Sequence, residues 1–210
     1  MGDGRTERAA KARTQRRRQI LDSSLRVFAD KGYWRTSISD LVQAAGVARG
    51  TFYLYFESKS AVFLDMLDEL LGCVEGAVSG VDPTQEISIQ EQLVQILARV
   101  LETLSDNRPL TRIIFREAVG LDHEVEQRLS RFDEQIRTYL MHTLSLGEQF
   151  SAVRQDLDTQ VVSACLMGAV REVIQAFVVR SDDRFDAHSI ARQVVEFSLV
   201  GVAPKSQPGT

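Results

Sequence analysis

"RRRQILDSSLRVFADKGYWRTSISDLVQAAGVARGTFYLYFESKSAVF", residues 16–63, is the stretch that decides the fold of this chain. Ile20, Leu21, Ser24, Leu25, Val27 and Phe28 line one face at helical spacing, and Gly32 follows as a C-terminal stop, so a first helix is expected over about 14–31. TSISDLVQAAG and GVARGTFYLYF come next and meet at Gly46. A glycine there can take a left-handed backbone at no steric cost, which makes a tight turn between two short helices. Ile38, Leu41, Val42 and Ala45 form the inward face of the first of them. Phe52 and Phe56, four apart in the second, are assigned to the core. This is the layout of a helix-turn-helix, whose second helix enters the major groove while the first crosses the backbone.

Outward from that stretch the periodicity stays helical, and no segment alternates with period two between hairpin turns, so the fold is expected to be all-α. Ser58 can cap a helix that runs to near Gly80, with Asp82 and Pro83 marking a linker. Further helices are expected over roughly 88–106, 109–119, 123–146, 159–180 and 187–201. Pro109 suits a first turn, Gly120 a stop, and Asp122, Asp158 and Asp186 stand at N-cap positions. The expected domains are a basic flexible arm over 1–13, a DNA-binding domain over 14–74 with its helix-turn-helix at 37–56, a helical domain over 75–203 and a disordered tail over 204–210.

The net charge of −4 hides an asymmetry. Residues 1–59 hold 12 Lys/Arg against 6 Asp/Glu, while residues 60–210 hold 13 against 23. A polyanion is therefore expected to meet only the N-terminal quarter. Arg5, Arg8, Lys11, Arg13, Arg16, Arg17 and Arg18 form a basic N-terminal segment that could follow a DNA backbone, lie in a minor groove, or simply be solvated. The apolar runs look too short to span a bilayer, and no signal-like apolar segment follows the N-terminal cations, so a cytoplasmic protein without a membrane partner is expected. Cys73 and Cys165 lie in apolar helical contexts and are expected as buried thiols, too few for a disulfide scaffold or a metal knuckle.

The chain is identified as resembling the TetR (tetracycline-repressor, AcrR-like) family over residues 16–63, on its RRRQIL opening, FADKGY, the TSISDLVQAAGV helix, the RGTFYLYF recognition helix and the SK that opens the next helix. The resemblance implies a transcriptional regulator, most simply a repressor that leaves a palindromic double-stranded operator when a small-molecule inducer binds. It also implies DNA-binding residues: Arg35; Thr36 and Ser37 at the start of the second helix, for phosphate; Ala48; Arg49, Gly50 and Thr51 facing bases, Arg49 being able to contact guanine in bidentate fashion; Tyr53 and Tyr55, of which Tyr53 in particular for phosphate or base; and Lys59 for the backbone. Read from the residues alone, Tyr55 could be packing, Thr36 a helix cap and Arg35 a solvated charge. Ala48 stands where the family commonly has Ser or Thr, and Leu54 where relatives are often polar.

For the rest of the chain the resemblance implies a ligand-sensing and dimerisation domain that forms a homodimer through its last two long helices, with Ser163, Ala164 and Gly168 small enough for close approach. Phe115, Arg116, Phe132, Tyr139, His142 and Met167 are candidates for lining a pocket for a small molecule the sequence does not name, with buried core as the competing reading. His123, His142 and His188 form no metal-ligand pattern, and no phosphate loop or nucleophile elbow is present, so no catalysis, cofactor or metal is expected. The alternatives are a helical regulator that activates or takes no ligand and, more remotely, an α-helical enzyme.

Overall fold

The computed structural model describes residues 3–202 apart from 79, 83, 118–121, 151 and 152. The expected linker proline Pro83, the stop at Gly120 and the tail 204–210 lie outside the described residues. The described chain is helical with no strand: α1 (Asp3–Lys31), α2 (Ile38–Ala45), α3 (Arg49–Tyr53), α4 (Lys59–Ala77), α5 (Ile89–Asp106), α6 (Arg108–Glu117), α7 (His123–Gln149), α8 (Thr159–Ile174) continued by a π-turn (Gln175–Val179), and α9 (Ala187–Val202).

Most boundaries have the local causes the sequence suggested. Gly32 takes φ 81° and its N–H donates to the Phe28 carbonyl (2.9 Å), closing α1. Ser58 Oγ accepts the Ala61 N–H (3.0 Å) at the start of α4, and the carboxylates of Asp158 and Asp186 accept N–H groups in the first turns of α8 and α9. Three expectations change. The first helix begins at Asp3 rather than Thr14, so the segment expected as a flexible arm is helical from Asp3 onward; Glu7, Ala9, Ala10, Lys11 and Ala12 are strong helix formers and no proline interrupts them. The helix expected over 159–180 changes to π geometry at Gln175, where the Arg180 N–H donates to the Gln175 carbonyl. Cys73 and Cys165 are exposed rather than buried, because each stands on an outward face of its helix.

The chain forms two compact units, residues 1–70 with 107–127, and 71–106 with 128–210. The boundaries fall inside α4 and inside α7, and residues 107–127, expected in the second domain, belong to the first unit.

In the first unit α2 and α6 pack on α1. Its core holds Ile20, Phe28, Leu41, Phe52, Val62, Phe63 and Leu67, all fully buried, with Tyr33 wedged against Phe28 (5.3 Å between ring centroids) and Phe63 (5.0 Å). Arg17 pairs with Asp65, and Arg18 with Glu69 (2.9 Å), which ties α1 to α4.

In the second unit α9 lies along α5, burying Val94, Ala98 and Leu101 on one helix and Ala187, Ala191 and Val195 on the other. Glu91 on α5 accepts Arg192 (2.9 Å) and faces His188 (3.3 Å) on α9. The stretch Thr159–Val179 is long and apolar enough to cross a bilayer, contrary to the expectation drawn from run lengths, since Arg171 and Glu172 are its only charges. It packs on α9, and its π-turn on α5.

Candidate nucleic-acid interface

The geometry begins with caps. Ser37 caps α2 in a reciprocal box: its Oγ accepts the Asp40 N–H (3.2 Å), and the Asp40 carboxylate accepts the Ser37 N–H (2.9 Å). Lys31 from α1 donates to the same carboxylate (2.6 Å). That bond, then those from the Ser37 backbone and hydroxyl, holds Asp40 well below the usual carboxylate range. At the other end Gly46 takes the left-handed conformation, φ 60° and ψ 35°, and its N–H is shared by the Gln43 and Val42 carbonyls. Gln19 of α1 donates from Nε2 to the Ala45 carbonyl (2.8 Å), so the turn is held from both sides.

α3 is one short helix whose N-cap, Ala48, supplies no side-chain cap, as the alanine requires. Its orientation is fixed by Phe52 and Phe56, both buried, with the Arg17 guanidinium 5.1 Å from the centroid of the Phe56 ring. With those rings inward, Ala48, Arg49, Gly50, Tyr53 and Leu54 face water, and Thr51 and Tyr55 are half-buried. Tyr55 lies beyond the last helical residue, its N–H donating to the Phe52 carbonyl (3.0 Å). The Arg49 guanidinium sits 5.9 Å from the Tyr53 ring centroid, so a cation and a phenol share one outward face. A Cβ added at Gly50 would meet nothing within 4 Å, so the protein's own packing does not require glycine there.

Other expected contacts are placed differently. Thr36 is buried, and its hydroxyl donates to the Gly32 carbonyl (2.8 Å); it neither caps α2 nor offers a donor to solvent, because the turn after α1 leaves a carbonyl that needs one. Arg35 is exposed, with Nε donating to the Lys31 carbonyl (2.7 Å), which satisfies another group at the end of α1. Lys59, expected at a DNA backbone, turns inward: Nζ donates to the Tyr33 carbonyl (2.9 Å) and lies 4.2 Å from the Tyr33 ring centroid and 5.5 Å from that of Trp34. Burial lowers its pKa, while the charges of Asp122 and Glu117 act the other way.

Sequence reasoning missed the group that organises this corner. The Tyr33 N–H donates to Glu117 (2.9 Å) at the end of α6, and its hydroxyl donates to Asp122, immediately before α7. Burial first, and then the Asp122 hydrogen bond and negative charge, push the Tyr33 phenol far above its usual value. Asp122 was expected as a side-chain cap; its backbone carbonyl accepts the Val125 N–H (2.8 Å) while its carboxylate takes Tyr33. The only signal was Tyr33 itself, a large aromatic directly after a helix-ending glycine, and the partners lie 84 and 89 residues away.

The pocket candidates are divided between the two units. Phe115, half-buried, and Arg116, exposed, belong to α6 in the first unit. Phe132 and Tyr139, half-buried, and His142, exposed, lie on α7, and half-buried Met167 on α8, all in the second unit.

Two family profiles match this architecture: that of bacterial regulatory proteins of the TetR family over residues 20–66, and that of the C-terminal region of YsiA-like proteins over residues 63–201. The fatty acid metabolism regulator protein of Bacillus subtilis is 24% identical over 187 residues, spanning 89% of this chain and 95% of that protein. Among solved structures, the fatty acid degradation regulator FadR of Bacillus halodurans is 26% identical with a TM-score of 0.73, covering 89% of this chain and 95% of that one. The transcriptional regulator FadR of Bacillus subtilis, solved in complex with stearoyl-CoA, is 23% identical with a TM-score of 0.72 and covers 87% and 97%.

Proposed function

The chain belongs to the TetR family of bacterial transcriptional regulators, and on that premise we propose that it is a cytoplasmic homodimeric repressor, released from a pseudo-palindromic operator by an acyl-type small molecule bound in its C-terminal unit. The observation that carries the DNA-binding part is the outward face of α3, where Arg49, Gly50 and Tyr53 stand in water because Phe52 and Phe56 are buried behind them. In this reading Arg49 contacts a guanine edge, and Thr51, Tyr53 and Tyr55 contact phosphate or base. Gly50 lets the helix approach DNA closely, which gives a reason for a glycine that internal packing does not demand. Ser37 stands exposed at the start of α2 with its hydroxyl donated to Asp40, and Thr36 and Lys59 hold the corner that presents the motif. The domain organisation proposed is a DNA-binding unit at the N-terminus and a ligand-binding and dimerising unit at the C-terminus.

Dimerisation through α8 and α9 is supported by Val161, Phe197 and Val200, large apolar side chains left 58%, 79% and 84% exposed in the single chain. A second copy of the same surface would cover them, and exposed Ala164 and Gly168 would let the helices approach. The acyl class of effector is supported by the two fatty-acid regulators among the relatives, with stearoyl-CoA as the first compound to try.

The test is binding to the intergenic DNA beside the protein's own gene across a salt series. If each protomer neutralises about 4 phosphates, log affinity should fall against log salt with a slope of about −7. A slope near zero, or no preference for that DNA over random sequence, would overturn the reading.

A further inference from the structure

The apolar helix α8 stops being α-helical at Gln175. Its N–H is shared by the Arg171 and Glu172 carbonyls, and its own carbonyl accepts the Arg180 N–H (2.9 Å), the wider spacing of a π-turn. Such single turns inside α-helices occur often at functional sites, where the added residue re-aims a side chain. Here the turn packs on α5. Ile174, Val178 and Val179 around it are buried, and the inward face of α5 is the apolar set Val94, Ala98 and Leu101.

In that setting the side-chain carbonyl oxygen of Gln175 is buried and has no hydrogen-bond partner among the described residues. An orphaned buried acceptor costs folding stability, and a native chain that keeps one calls for an explanation. A leucine or methionine would fill the same space without the cost. The two oddities coincide at one residue: the helix widens where the unsatisfied acceptor sits.

We infer that Gln175 is a ligand-recognising residue of the C-terminal unit, its side-chain carbonyl accepting a hydrogen bond from an N–H or O–H next to the apolar chain of an effector. The inference rests on the effector reading above and names the polar contact within it. An acyl-CoA has this chemistry, since its hydrocarbon chain is followed by an arm bearing amide N–H groups.

The experiment compares the full-length protein with Gln175→Met, which keeps length and volume but has no oxygen. Stearoyl-CoA binding is titrated by calorimetry, and thermal unfolding of both proteins is recorded without ligand. The expected result is about tenfold weaker binding of stearoyl-CoA by the variant. Its unliganded melting temperature should be equal or higher, because a buried unpaired group has been removed. Equal affinity in both proteins would overturn the role of Gln175 while leaving the effector reading intact. A variant that melts several degrees lower without ligand would also overturn it, by showing that the carbonyl has a stabilising partner inside the folded protein. If the unsubstituted protein does not bind stearoyl-CoA, the acyl reading fails and this inference falls with it.

Discussion

α3 and α9 both leave large side chains in water, but the two exposed surfaces differ in chemistry. On α3 the outward residues are Arg49, Tyr53 and Leu54, a cation and a phenol beside one aliphatic side chain. On α9 they include Phe197 and Val200, purely apolar and more exposed than Tyr53. A surface of cation and hydroxyl is stable in water and gains by meeting phosphate or base edges. A surface of phenylalanine and valine gains chiefly by leaving water, and each such side chain buried contributes about 1.5–3 kcal/mol. The contrast is why the first surface is proposed for nucleic acid and the second for another copy of the chain.

The strongest way to break this assignment is to place charge on α9. Phe197→Glu with Val200→Glu should weaken the dimer by more than about 100-fold, since each lost contact counts twice across a two-fold axis. Sedimentation should then find monomers, and operator binding should fall with them. A dimer that survives both changes would move the interface elsewhere.

The next largest effect is expected on α3. Arg49→Ala should cost about 1–3 kcal/mol of operator affinity and relax base preference at one position of each half-site, measured against a set of single-base operator variants. Loss of affinity without any change in base preference would make Arg49 a phosphate contact.

Lys59 gives the smallest effect and the sharpest distinction. Lys59→Met removes a cation held over Tyr33 and Trp34 and its bond to the Tyr33 carbonyl, so it should lower folding stability by about 1 kcal/mol. Operator and random DNA should weaken together by a few-fold with the salt slope unchanged. A slope shallower by about 1 would return Lys59 to the DNA backbone.

How far the sequence reaches can be seen residue by residue. Gly46 and its turn, the buried Phe52 and Phe56, the cap at Ser58 and the carboxylate caps at Asp158 and Asp186 were all readable, because each depends on neighbours within a few positions. The start of α1 was misplaced because polar helix formers give no apolar period to follow. Thr36 and Lys59 are assigned outward on resemblance, and only the folded chain brings the Gly32 and Tyr33 carbonyls to their donors.

The sequence by itself determined an all-helical chain, the position of the helix-turn-helix and the concentration of positive charge in its first quarter, since helical period, capping chemistry and net charge are local or additive properties. Tertiary structure alone decided that Tyr33 joins Glu117 and Asp122, that residues 107–127 belong with the first unit, and that Gln175 sits at a π-turn with its acceptor unpaired among the described residues. Those outcomes depend on which distant groups meet as the core closes, and a buried polar atom takes whatever partner the fold brings within reach, or none.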